Sequence, residues 1–179
     1  RNEEIYSAVN ELETLRYTAP APLVFATPNL SGSQIATVTA DRKSLQVTNS
    51  AESEFKLVAQ GDQISKPTWD RDGNIYFSDF GQGVREVTRD GSLRPVSVDA
   101  STLGTNDQVK QVLVSSDGVR VAVVLSNGIQ DVVAVGAVFK TDSETRIIGL
   151  HRIERSITAI RDIVWSSPTS IAVIGSDET

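Results

Sequence analysis

Apolar and polar positions alternate in short runs along this chain, and polar turns rich in glycine separate one run from the next. Alternation with period two predicts β-strands, because successive side chains of a strand point to opposite faces. The runs fall at 23–26, 34–39, 44–48 and 55–59, then at 67–70, 75–78, 83–88 and 93–98. A third set covers 109–115, 119–125, 132–139 and 146–152, and 159–165 and 170–175 open a fourth. Residues 75–78 (IYFS) alternate only weakly, which is expected of a strand covered on both faces. Asp72-Gly73, Asp90-Gly91, Asp117-Gly118 and Asn127-Gly128 mark tight hairpin turns, since glycine and asparagine tolerate positive φ.

One phrase recurs four times: TPNLSGSQIA at 27–36, TWDRDGNIY at 68–76, VSSDGVRVA at 114–122 and VWSSPTSIA at 164–172. Each copy is an apolar approach, a polar turn and a second apolar strand. With Gly32, Gly73, Gly118 and Thr169 taken as equivalent, the intervals are 41, 45 and 51 residues. A repeat of that length built from short strands predicts an all-β fold, a β-propeller of four-stranded antiparallel blades. About three complete blades occupy 23–63, 64–103 and 109–154, with a partial blade at 159–179.

Residues 1–22 carry two signals. Ile5, Val9, Leu12 and Arg16 lie at helical spacing, whereas 14–18 (TLRYT) resemble 92–96 (SLRPV), the last strand of the second blade. The repeat favours two lead-in strands from a preceding or closing blade. Paired with the two C-terminal strands they would close a four-bladed ring; the other possibility is a longer ring, cut short here. A cut ring leaves an unpaired strand edge.

Composition narrows the function classes. The chain has 179 residues, 39% hydrophobic and 22% charged, enough for one domain with a sizeable core. The net charge of -6, with no cluster of Lys and Arg, argues against nucleic acid as a partner. No apolar run approaches the roughly 20 residues of a membrane-spanning helix. Cysteine is absent, which removes disulfide and thiolate chemistry, and methionine is absent too, so the chain reads as a fragment or a processed form.

The search for catalytic chemistry returns little. His151 is the only histidine and reads as structural or solvent-facing. Residues 70–74 (DRDGN) share part of a calcium loop, but position 79 offers Asp where such a loop needs a bidentate Glu, so a strand-to-strand turn is expected. The Asp boxes of sialidases need a spacer between Asp and Gly that Asp72-Gly73 and Asp117-Gly118 lack. Ser31, Ser115 and Ser166 lie in the repeated turn, outside any G-x-S-x-G elbow. Trp69 and Trp165 hold matching positions and are expected to pack between blades. The charged pairs Asp70-Arg71, Arg85-Glu86 and Arg89-Asp90 read as solvated surface. No residue is assigned a catalytic, cofactor or metal role, and the binding surface stays unassigned.

The segments 66–76 (KPTWDRDGNIY), 112–124 (VLVSSDGVRVAVV) and 161–175 (RDIVWSSPTSIAVIG), in this order and spacing, resemble the propeller domain of the actinobacterial lipoprotein LpqB family. Ile5-Tyr6 and the stretch from Pro20 to Pro22 are similar to its lead-in. The resemblance implies a propeller that runs on past this chain, so a truncated ring. It further implies a protein that faces outward from the cytoplasmic membrane and is held there by a lipid anchor outside this chain. The implied role is a non-enzymatic interaction module whose partner is the extracytoplasmic domain of an MtrB-like sensor histidine kinase. An alternative reading is an envelope carbohydrate- or small-ligand-binding propeller, with Trp69, Trp165, Tyr76 and the acidic turns lining a central channel. A hydrolase would need residues this chain does not contain.

Overall fold

Two strands set the architecture because both of their faces are buried. From Ile75 to Asp79 every position is buried, and from Val121 to Leu125 likewise. Such strands have no solvent side, so each must lie between two neighbouring layers. The computed structural model describes residues 4–10, 13–49, 52–99, 101, 103–104, 106–153, 157–167 and 169–176. Among these residues the chain is all-β and forms no α-helix. Pro168, Leu12, Glu154 and both chain ends, about which the sequence raised expectations, lie outside the described residues.

The strands are β1 (Glu4–Asn10), β2 (Glu13–Thr18), β3 (Leu23–Pro28), β4 (Gln34–Thr39), β5 (Ser44–Asn49) and β6 (Glu52–Gln60). Then come β7 (Thr68–Trp69), β8 (Ile75–Asp79), β9 (Gly83–Val87), β10 (Leu93–Val98), β11 (Gln108–Val114) and β12 (Arg120–Ser126). The last are β13 (Asp131–Lys140), β14 (Thr145–Arg152), β15 (Ala159–Ser167) and β16 (Ser170–Ser176). The N-terminal segment forms strands, not the helix that one of its spacings suggested. We call β3–β6 the first unit, β7–β10 the second, β11–β14 the third and β15–β16 the fourth.

Within each unit neighbouring strands pair antiparallel, but the sheets do not divide as the repeat predicts. β3–β6 is a sheet of its own, whereas β7–β10 and β11–β14 merge into one mixed eight-stranded sheet. The join is a short parallel pairing of outer strands, Val96 with Thr145 through Val98 with Ile147. Val96 and Ile147 are buried there, at 5% and 1% exposure, so the join covers two strand edges that separate blades would leave open.

Three apolar layers alternate with the units. Ala36, Val38 and Leu45 of the first unit meet Trp69, Ile75 and Phe77 of the second. Tyr76, Val84 and Val96 of the second meet Val121, Val123 and Leu125 of the third. Ala122, Val124 and Val133 of the third then meet Ile160 and Ile163 of the fourth. Odd and even positions of β8 and β12 thus feed different layers, which explains their weak alternation. Each fully buried side chain contributes about 1.5–3 kcal/mol of transfer free energy.

Three copies of the repeated turn, and the turn between β9 and β10, differ in detail from a two-residue hairpin. Gly32, Gly73, Gly91 and Gly118 have φ of 69°, 85°, 87° and 74°, while the polar residue before each keeps negative φ. Their amides donate to the carbonyls of Asn29, Asp70, Thr88 and Ser115, three residues earlier. This is a four-residue turn with glycine in the left-handed region at its end. Asp72, Asp90 and Asp117 therefore need not adopt positive φ; the side chains of Asp90 and Asp117 instead accept the amides of Ser92 and Val119 at 3.0 Å each. Gly118 also brings the third unit against the second, since a Cβ there would lie 3.4 Å from the Cβ of Asp70.

Burial grades the expected cost of truncation. Leu125→Ala should lower stability by about 2–5 kcal/mol, whereas Val119→Ala, at a half-exposed turn, should stay within about 0.5 kcal/mol. Urea unfolding followed by far-UV circular dichroism measures both; equal midpoints for the two variants would contradict the layered core.

Candidate functional site

Polar residues are built into the layers between units, and the fullest set joins the second unit to the third. Asp70 follows β7 and lies at the start of the repeated turn; its side chain is fully buried. Its carboxylate accepts the amides of Asp72 and Asn74 at 3.0 and 2.9 Å and the Asn74 side-chain amide at 2.9 Å. Lys140, at the end of β13, donates to it at 2.6 Å and lies 3.2 Å from Glu86. The Tyr76 hydroxyl donates to Glu86 at 2.9 Å and lies 3.3 Å from Asp70. Thr145 donates to the other Glu86 oxygen at 2.7 Å. The Lys140 ammonium stands 5.0 Å from the centre of the Tyr76 ring, within cation–π range.

The electrostatics explain why this cluster holds together. Burial pushes the Asp70 carboxyl up, but the Asn74 and Lys140 hydrogen bonds outweigh it and keep the group below its ordinary 3.8. Burial, reinforced by the Glu86 and Asp70 charges, pushes the Tyr76 phenol well above its usual range. Tyr76 is therefore a fixed proton donor and Asp70 a fixed acceptor. The oxygens of Asp70 face N–H and ammonium donors, so residues 70–74 form a turn and an inter-unit clasp, with no oxygen cage turned toward a cation. Among the described residues no group of three His, Asp or Glu side chains is placed to hold a metal ion.

A second clasp ties the third unit to the fourth. Lys110 donates to Asp131 at 2.6 Å and to the carbonyl of Ile160 at 3.0 Å, while the Ile160 amide donates to Asp131 at 2.7 Å. Burial raises Asp131, and Lys110 together with that amide brings it below 3.8. Near it, Asp162 of β15 accepts from Lys66, ahead of β7, at 2.7 Å and from Gln111 at 3.2 Å. Lys66 and Asp162 thus link the second unit to the fourth, past the inner strand of the third.

The expectations for individual residues divide as follows. Trp69 and Trp165 are packing residues, and each indole N–H donates to a carbonyl on the first strand of the unit before: Thr27 at 2.9 Å and Leu113 at 3.3 Å. His151 lies exposed on β14. Two readings need correction. Asp70 and Glu86 are buried at 2% exposure each, not solvated surface, because Lys140 reaches them from 54 or more residues away in sequence. Tyr76 is fully buried and so lines no channel for a ligand, and Trp69, 7% exposed, borders only the cleft between the first and second units. Lys140 and Thr145 carried no local signal; only the fold brings Lys140 to Asp70 and Thr145 to Glu86.

Concave surface remains between the units, beside the clasps as well as away from them. Between the first and second units lies a cleft of about 540 Å³. Its lining combines Val47, Val58 and the edge of Trp69 with the charged Glu54, Lys56, Arg89 and Asp90. A smaller aliphatic cleft of about 410 Å³ lies beside β16, lined by Val133, Ile153, Ile157, Ile171 and Val173.

Comparison with known proteins places this geometry. Residues 8–179 match the family model described as the lipoprotein LpqB β-propeller domain. Lipoprotein LpqB of Cutibacterium acnes (strain DSM 16379 / KPA171202) is 26% identical over 175 residues, which span 94% of this chain and 28% of that protein. The chain therefore spans about 28% of the length of this curated relative. Kuenenia stuttgartiensis hydrazine synthase superposes with a TM-score of 0.62 at 18% identity, over 84% of this chain and 42% of that one. The Pseudomonas aeruginosa periplasmic gluconolactonase PpgL gives 0.55 at 18% identity, over 83% and 45%. The β-propeller domain of Myceliophteria thermophila Cps50 (Swd1) gives 0.54 at 11% identity, over 98% and 61%. At such identities these structures speak for the fold alone, which is β-propeller-like.

Removing the cation tests the clasp. Lys140→Met leaves Asp70 and Glu86 buried without their counter-charge, and should cost about 3–5 kcal/mol near neutral pH. In the wild type Asp70 titrates below 3.8, so its contribution is complete above that value and fades as pH falls through the folded-state pKa. In the variant the lowering by Lys140 is lost and the Asn74 bonds alone oppose burial, so the Asp70 carboxyl rises relative to the wild type and protonation relieves it sooner. The gap between the two proteins should narrow as pH falls toward the carboxylate range. Urea titrations across pH read this, and a gap that stays constant would exclude the ionic account.

Proposed function

The chain belongs to the lipoprotein LpqB β-propeller family, and from that premise we propose that it is a non-enzymatic interaction module of an extracytoplasmic lipoprotein. The full-length protein is held to the membrane by a lipid anchor, and this module contacts the extracytoplasmic domain of a two-component sensor histidine kinase of the MtrB type. The units of the module are the blades of a propeller ring: three of four strands each, a fourth opened by β15–β16, and a ring that runs on through further strands.

The family match along residues 8–179 carries this reading. The side-chain chemistry agrees with it. Catalysis needs an acid, base or nucleophile with access to substrate. Asp70, Glu86 and Asp131 are instead buried and committed to lysine, hydroxyl and backbone donors. A rigid stack of sheets whose turns and clefts face outward suits recognition of a protein surface.

Isothermal titration of the complete extracytoplasmic lipoprotein with the purified sensor domain of the kinase tests the proposal. A saturable heat with a Kd below roughly 100 μM is expected. Absence of binding at that concentration would remove the kinase from the reading, and turnover of an envelope substrate abolished by Asp70→Asn would replace the module with an enzyme.

A further inference from the structure

The outer strands of the three four-stranded units differ in how their free edges are covered. β10 and β14 pair with each other, Val96 with Thr145 to Val98 with Ile147, and run parallel. β6, the outer strand of the first unit, pairs with β5 along one edge and with no strand along the other. Among the described residues its backbone is otherwise held only at its end, where Arg85 donates to the Gln60 carbonyl at 2.8 Å. β6 is also the longest of the three, with nine residues against six in β10 and eight in β14. Short strands and prolines blunt such edges. β10 is short and carries Pro95, whereas β6 is long and has no proline.

The side chains of β6 divide by face. Glu54, Lys56 and Val58 turn toward the second unit and line the cleft of about 540 Å³. Phe55 and Leu57 alternate with them onto the other face, where Leu57 stays 48% exposed. Glu54 and Lys56 are both exposed, and neither side chain bonds to another described residue. They carry opposite charges two positions apart on one face. The edge thus brings together backbone donors and acceptors at strand spacing, an exposed leucine, and a carboxylate and an ammonium that both lack a counter-charge.

From this we infer that the outer edge of β6 receives an extended segment of a partner protein, which adds as a parallel strand in the way β14 adds to β10. An open strand edge selects another extended backbone over a sugar or a lipid, because only a backbone repeats donors and acceptors at the same spacing. Parallel pairing also orders the side chains, since facing residues then run in the same sequence on both strands. Opposite charges on facing strands attract and like charges repel. The segment therefore carries a basic residue beside Glu54 and, two positions on, an acidic residue beside Lys56. The residues between and after these are apolar and lie beside Phe55 and Leu57. The recognised pattern is basic, apolar, acidic, apolar. The inference rests on the reading of this chain as a protein-interaction module, and it names the surface and the mode of recognition.

The test uses the 179-residue chain labelled with nitrogen-15 and observed by NMR. The probes are acetyl-Thr-Lys-Val-Glu-Val-Thr-amide and its charge-reversed counterpart acetyl-Thr-Glu-Val-Lys-Val-Thr-amide. The first should shift the amides of residues 54–58 and bind about 5-fold more tightly than the second. Two N-methylated copies of the first peptide separate strand pairing from side-chain docking. One is methylated at both valines, the other at lysine and glutamate, so each blocks one edge of the added strand. One copy should lose about 10-fold or more in affinity while the other keeps it. Exchange of Glu54→Lys with Lys56→Glu, both at exposed positions, should invert the preference between the two charge orders. Unmoved amides at roughly 10 mM peptide, full binding by both methylated copies, or a wild-type preference for the reversed order would overturn the inference. Titration of the kinase sensor domain separates the two proposals. Equal binding by wild type and charge-exchanged variant overturns the β6 edge as its docking place and leaves the kinase reading intact. No binding by the wild type, with the first peptide still adding to β6, sinks the kinase reading and leaves the edge.

Discussion

Everything in this molecule follows from strands that must be covered on both faces. A sheet with one wet face can end a protein; a sheet with two apolar faces needs a neighbour on each side, and that neighbour needs another. β8 and β12 meet this condition with Tyr76 or Ala122 turned one way and Phe77 or Val123 the other. The inner strands then have to stay in contact, and side chains lock them there. Trp69 reaches back to Thr27, Thr68 reaches forward to Val114, and Ser78 reaches forward to the carbonyl of Lys110 at 2.8 Å. These bonds satisfy polar groups that the stacking would otherwise bury unpaired.

The same constraint determines what could be read from the chain alone. Strand positions were legible, because turn residues and apolar runs are local signals. The paired tryptophans were legible as packing residues because they recur at one position of a repeat. The clasp of Asp70, Glu86 and Lys140 was not. Asp70 and Glu86 look like ordinary surface charges in a sequence, and their burial depends on a lysine supplied by the next unit. The join between β10 and β14 was equally hidden, since parallel pairing of outer strands needs the relative twist of two units and leaves no mark on either strand.

Charge burial at the unit boundaries has a physical role beyond satisfying the groups involved. An apolar interface between similar sheets tolerates sliding by a strand step, because one valine fits much like the next. A lysine held between two carboxylates fits in one position. Lys140 on Asp70 and Glu86, and Lys110 on Asp131, each set the offset between neighbouring units. Buried ion pairs contribute little net stability against an apolar substitute, but a wrong offset would strand a charge in the interior.

The repeat is most legible in how volume is shared across each boundary. Ala36 of the first unit is small, and Trp69 of the second stands in the same layer; Ala122 of the third unit is small, and Trp165 of the fourth packs there. The second unit reverses the arrangement, with Tyr76 on its own inner strand and Val114 on the unit that follows. Close packing demands this exchange, since two large rings would overfill a layer and two small residues would leave a void. The reversal also changes the chemistry. A tryptophan N–H needs one carbonyl, found at Thr27 or Leu113, whereas the Tyr76 hydroxyl and the carboxylates of Asp70 and Glu86 need a cation as well, and Lys140 supplies it. One aromatic moved from one side of a boundary to the other thus turns an apolar contact into an ionic clasp on the same scaffold.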